Sequence, residues 1–123
     1  MENLEGNKLI VKIQRDLAKS GIVKDNLVKD LKELRNFALA EQDPTLTKVI
    51  RLTYEHIEQT GTFSIPIPAD EAVVEGEEPE TMDMEDFDNK RESLNYLLSL
   101  MLDRKNPTNR QDLEEYRDML KDF

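Results

Sequence analysis

Two stretches decide the fold: "AEQDPTLTKVI", residues 40–50, and "DRKNPTNRQDL", residues 103–113. Each places a polar turn and then Pro-Thr between two segments in which apolar residues recur every three or four positions. Proline is tolerated in the first turn of a helix, because the N–H that it lacks has no helical partner there. Both stretches therefore predict a corner, with Pro44 and Pro107 opening the helix that follows.

Outward from the first corner, apolar spacing predicts three amphipathic helices. The first covers about residues 3–20, and Gly21 suits the backbone conformation that ends a helix. Asp25 or Asn26 is expected to cap the second. The third helix begins at the corner proline and ends at Gly61.

Around the second corner, two more helices are expected. Apolar spacing places the fourth from about Phe87, and within residues 94–102 seven of nine residues are apolar, which is typical of a central helix or one covered by a second subunit. The fifth starts at Pro107, where Thr108 and Gln111 have the spacing of a capping box. An offset of 63 places residues 24–57 on 87–120 with seven identical pairs. Either a duplication or two hairpins of similar geometry explains that match.

The predicted fold is therefore all-α. It is a single domain over residues 1–123, in which two Pro-cornered hairpins and an N-terminal helix form a bundle. An extended acidic linker, residues 62–84, is expected between the third and fourth helices. The chain has no cysteine, no apolar run of membrane-spanning length and no signal-peptide pattern at its start, so we expect a cytoplasmic protein.

The negative charge is concentrated in one segment. Ten acidic residues and no Lys or Arg lie within residues 70–88, and the other 17 acids equal the 17 basic residues in number. No clustered positive charge of the kind that binds nucleic acid is apparent in the sequence. The acidic run is expected to be a solubilising linker, with capture of a basic partner as the functional alternative. The docking residues in that alternative are Glu75, Glu77, Glu78 and Glu80.

Catalytic signatures are sparse. His56 is the only histidine and is expected at the surface, and the sequence has neither a G-x-S-x-G elbow nor a phosphate-binding glycine motif. We therefore expect no catalytic residues and no cofactor.

One carboxylate pattern resembles a known family. Glu55-x-x-Glu58 and, 26 residues later, Glu85-x-x-Asp88 are similar to the E-x-x-E…E-x-x-D signature of the all-α nucleotide pyrophosphatases. That resemblance implies Mg²⁺ held by the four carboxylates against a triphosphate. Acids make up 27 of the 123 residues, and no Lys or Arg lies between residues 51 and 90 to hold phosphates. A Mg²⁺-dependent hydrolase is the third hypothesis.

The first hypothesis is a non-catalytic interaction or assembly module, acting as a homodimer or as a subunit of a larger complex. Phe63, Ile65 and Ile67 alternate with other residues in a strip that is expected either in a groove of its own bundle or on a partner. The hypothetical contact residues are those three, together with residues of the fourth helix opposite its Leu94/Leu98 stripe. In full they are Phe63, Ile65, Ile67, Tyr96, Leu100 and Leu102.

Overall fold

The computed structural model of the chain describes residues 3–65, 67 and 82–123, with only the backbone described in 82–89. Its five helices are α1 (Leu4–Ser20), α2 (Lys24–Ala40), α3 (Pro44–Thr60), α4 (Met82–Leu102) and α5 (Pro107–Asp122). No β-strand occurs in these residues. The predicted all-helical fold with two Pro-cornered hairpins and an N-terminal helix is confirmed.

Of the four helices whose first turn is described with its side chains, three start with a side-chain cap. The side chains of Asn3, Asp43 and Asn106 accept N–H groups from the first turns of α1, α3 and α5. Such a cap satisfies N–H groups that have no partner within the helix. The capping box predicted from Thr108 and Gln111 was wrong, because the asparagine before Pro107 caps α5 instead.

The remaining boundaries also differ in part from the prediction. No side chain caps α2, so Asp25 and Asn26 lie inside its first turn. Helix α4 begins at Met82, which makes the last three positions of the predicted 62–84 linker helical. Gly21 and Gly61 follow α1 and α3 as predicted, both with φ of 77°, where a side chain is rarely accommodated.

The helices pack so that the two corners face each other. Helix α3 packs against α2 and α5, while α1 packs on α2 and α4. The leucines of α4 at 94, 97, 98 and 100 are buried within this one chain, so the apolar character of that helix is explained by its packing against α1 and α5. Phe63 and Ile65, which follow α3, complete the same core.

A charged cluster joins the corners. Asp43, whose side chain is 3% exposed, accepts hydrogen bonds from Arg110 Nη1 at 2.7 Å and Arg104 Nη1 at 3.1 Å. Its Oδ1 also accepts the N–H of Leu46 at the start of α3. Arg104 Nε donates to Glu41 at 2.8 Å. A buried carboxylate with this many donors holds both hairpins at one point.

The surroundings of Asp43 favour its charged form. Burial alone raises the pKa of this carboxyl, but the hydrogen bonds from Arg110 and the Leu46 N–H, with the positive charges of Arg110 and Arg104, outweigh burial and hold the pKa below its ordinary value. A carboxyl whose pKa is lowered by folding stabilises the fold above its unfolded pKa of about 3.9. That contribution is lost as the pH falls through the folded pKa.

We expect Asp43→Ala to lower the free energy of unfolding at pH 7 by about 3 kcal/mol. The substitution removes a carboxylate shared by two partly buried arginines, of which Arg104 keeps its bond to Glu41, and it leaves α3 without its cap. Urea unfolding followed by circular dichroism measures the loss. The difference between variant and parent should shrink as the pH falls below about 3.9, where the Asp43 carboxyl of the unfolded chain takes up a proton.

Asp25→Ala is the matched control, since Asp25 is exposed in the first turn of α2 and contributes no cap hydrogen bond. Its effect should stay within about 0.5 kcal/mol. Equal losses in both variants would show that the corner cluster does not hold the hairpins together.

Candidate functional site

The six contact residues proposed from sequence are divided between the core and the surface. Phe63, Ile65 and Leu100 are buried in the core of their own chain. Tyr96 and Leu102 are half-buried, and Ile67 is 41% exposed. The structure therefore places the first two apolar residues of the strip, Phe63 and Ile65, in a groove of its own bundle. Three of the six proposed contact residues lack the exposure that a partner contact needs in this conformation.

Residues 63–65, here called the strap, are held by side chains from three helices. Ser93 of α4 donates its hydroxyl proton to the Ile65 carbonyl at 2.6 Å. Because that proton is used, Tyr116 of α5 donates to Ser93, whose Oγ lies at 2.9 Å and whose carbonyl lies at 3.0 Å. The Phe63 ring lies tilted on the Tyr116 ring with centroids 6.2 Å apart. The strap thus closes the junction of α3, α4 and α5.

His56 of α3 provides the third attachment of the strap. Its Nε2 accepts the backbone N–H of Ser64 at 3.0 Å, so this nitrogen carries no proton and the proton of the neutral ring is on Nδ1. The expected surface position was wrong: the residue is 5% exposed. Spacing in α3 contained the signal, since His56 lies seven residues after the buried Val49 and directly before the buried Ile57.

Most of the described polar groups near the strap take part in structural hydrogen bonds; the exception is the buried Oδ1 of Asp112, which has no partner. Tyr96 donates to Asp112 Oδ2 at 2.5 Å, and burial raises the pKa of the Tyr116 hydroxyl far above its ordinary value. A tyrosine in that state remains a hydrogen-bond donor at neutral pH. Among the described side chains, no group of three or more His, Asp or Glu residues is placed to hold a metal ion.

The structure describes two of the four carboxylates in the pyrophosphatase-like pattern. Glu55 lies 3.7 Å from Arg51 on its own helix, and Glu58 lies 3.3 Å from Lys32 of α2. The side chains of Glu85 and Asp88 lie outside the described residues, as do the docking residues proposed in the acidic run. Those docking residues are Glu75, Glu77, Glu78 and Glu80.

The outer face of α1 is the surface that sequence reasoning missed. Leu4 is 74% exposed and Val11 is 40% exposed, and both line one surface hollow with Lys8, Lys12 and Arg15. The inner face of the same helix is buried through Ile10, Ile13 and Leu17. Seven-residue spacing of Leu4, Val11 and Ala18 was the available signal, because the core needs only one apolar face of an amphipathic helix.

Comparisons with known protein families, curated proteins and solved structures find no match for this chain. Within the part of the chain that the structure describes, no helix is both long enough and apolar enough to span a membrane.

We expect Ser93→Ala to destabilise the protein by about 2 kcal/mol, because it leaves the Ile65 carbonyl without its donor and removes an acceptor of Tyr116. Ser99→Ala is the control on the same helix, since its hydroxyl bonds only to the Tyr96 carbonyl within α4. Chemical unfolding of both variants measures the difference. Equal stability of the two would mean that the Ser93 bond does not hold the strap.

Proposed function

We propose that this chain is a non-catalytic helical interaction module and that its contact surface is the outer face of α1. The observation that carries the proposal is the exposure of Leu4 and Val11 in one hollow surrounded by cationic side chains. Exposed apolar side chains grouped in this way are typical of protein contact sites. A cytoplasmic location accompanies the proposal, as expected from the sequence.

The spacing of the exposed residues favours a helical partner. Leu4, Val11 and Ala18 are seven residues apart, so they follow one line along the helix for about 21 Å. A second helix packs along such a line by inserting its own apolar side chains between them.

The charges on this face favour an acidic partner. Lys8, Lys12, Arg15 and Lys19 are exposed along α1, against two acids, Glu5 and Asp16. Arg15 and Lys19 have no ion-pair partner among the described residues, and they are therefore available to carboxylates that flank the apolar line of another helix. A symmetric contact between two copies of α1 would oppose like charges, which disfavours self-association through this face.

A defined probe tests both parts of the proposal. We expect a helical peptide of about 21 residues, with leucine at the a and d positions and glutamate at e and g, to bind the protein. Val11→Gln should weaken that binding about tenfold, or about 1.4 kcal/mol. Arg15→Gln combined with Lys19→Gln should weaken it at low salt and reduce its salt dependence. Fluorescence anisotropy of the labelled peptide gives each affinity.

Matched variants separate this face from the rest of the surface. Val23→Gln replaces a valine that is 38% exposed, close to the 40% of Val11, in the connection between α1 and α2. Lys29→Gln removes an exposed lysine from α2. Neither should change peptide binding. Lys12 is left intact because it pairs with Asp30 of α2 at 2.9 Å and holds two helices together.

Three outcomes would contradict the proposal. Equal losses in Val11→Gln and Val23→Gln would remove this face as the contact surface. Equal binding of a peptide whose leucines are replaced by serine, or of short duplex DNA, would reduce it to a general polyanion site. A dimer by sedimentation that dissociates in Val11→Gln would make a second copy the occupant.

A further inference from the structure

The strap differs from the helices in how its backbone is held. The Ser64 N–H is bound by the His56 imidazole and the Ile65 carbonyl by the Ser93 hydroxyl. In a helix, backbone N–H and carbonyl groups bond to one another. In the strap, the partners of these backbone groups are side chains. The histidine is the one of these two side chains that changes its protonation near neutral pH.

We propose that residues 63–65 form a strap latched by the unprotonated imidazole of His56, and that protonation of this ring releases the strap from the bundle. The inference is independent of the proposed role of α1, which lies on another face. Its consequence is that Phe63 and Ile65, apolar residues that the sequence marks as partner contacts, become accessible only in the released form.

The geometry makes the latch sensitive to one proton. With a proton on Nε2, the imidazolium presents an N–H to the Ser64 N–H, so two donors face each other and the hydrogen bond is lost. The added charge also lies in an apolar surrounding. The Phe63 and Phe123 rings meet the imidazole edge to face, with centroids 5.7 Å and 4.4 Å away.

The charged groups around His56 offer it little compensation. From the strap it faces Phe63 and Ser64, which do not titrate in this range. On α3, Glu55 and Glu58 are paired with Arg51 and Lys32, as described above. Directly after α5, the ring of Phe123 packs against it with the ring centroids 4.4 Å apart.

The other titratable side chains at that end of α5, Lys121 and Asp122, are exposed. Tyr116 lies behind Phe63 and stays protonated. Burial accordingly lowers the pKa of His56 from its ordinary value of 6.5.

The direction of the pH dependence follows from the two states. In the released strap the histidine is hydrated and binds a proton with an ordinary pKa of about 6.5. In the latched strap the pKa is lower. The released state therefore binds more protons as the pH falls below about 6.5, and opening becomes more favourable by up to tenfold per pH unit until the folded pKa is reached.

Amide hydrogen exchange of the intact protein between pH 7.5 and pH 5 tests the latch. After correction for the intrinsic pH dependence of exchange, we expect the protection factor of Ser64 to fall by up to tenfold per pH unit below about 6.5. The Leu46 amide, bound to Asp43 at the far corner, is the internal control and should keep its protection over this range. Constant protection at Ser64 would overturn the proposal.

His56→Gln separates titration from hydrogen bonding, because the glutamine side chain accepts a hydrogen bond but does not titrate. We expect the pH dependence at Ser64 to disappear in this variant, and the same dependence as in the parent would overturn the proposal. Nitrogen-15 chemical shifts of His56 in the parent protein give a measurement that does not depend on the variant folding. They should show the Nδ1–H tautomer and a pKa below 6.5. The other tautomer or an unshifted pKa would equally overturn the latch.

Discussion

The carboxylate of Asp43 is the point at which the two helical hairpins are joined. It caps α3 and accepts hydrogen bonds from Arg104 and Arg110, which flank the other corner. Glu41 bonds to Arg104, a residue 63 positions later. That separation equals the offset between the two Pro-Thr turns, so equivalent positions of the two corners meet. Helices α3 and α5, which leave these corners, are held side by side as a result.

The pairing of α3 with α5 determines the remaining surfaces. Its far end is closed by the strap, where His56 of α3, Ser93 of α4 and Tyr116 of α5 converge. Of the N-terminal helix α1, only the inner face contributes to the core, where it packs on α2 and α4. Apolar residues on its outer face add nothing to this core, and the proposed partner contact rests on their exposure.

Sequence pattern predicted what depends on local spacing. The five helices, the proline corners and the glycine ends follow from apolar periodicity and backbone preference within a few residues. Contacts between distant residues decided the rest. The burial of His56 depends on Phe123 and the strap. The hydrogen bonds of the Asp43 carboxylate come from arginines 61 and 67 residues away. The α1 outer face was missed because apolar spacing was assigned to the core alone.

Asp43 and His56, two of the buried titratable groups, show opposite responses to the cost of burying a charge. Asp43 keeps its charge because donors surround it, whereas burial favours the neutral form of His56, whose ring lies against the rings of Phe63 and Phe123. As the pH falls, the two ends of the bundle are therefore protonated one after the other. Protonation acts on the strap at a higher pH than on the corner, since a histidine titrates above a carboxyl that is held by arginines. The end that joins the hairpins stays charged and closed while the end that covers Phe63 loosens, so release of the strap does not require unfolding of the bundle.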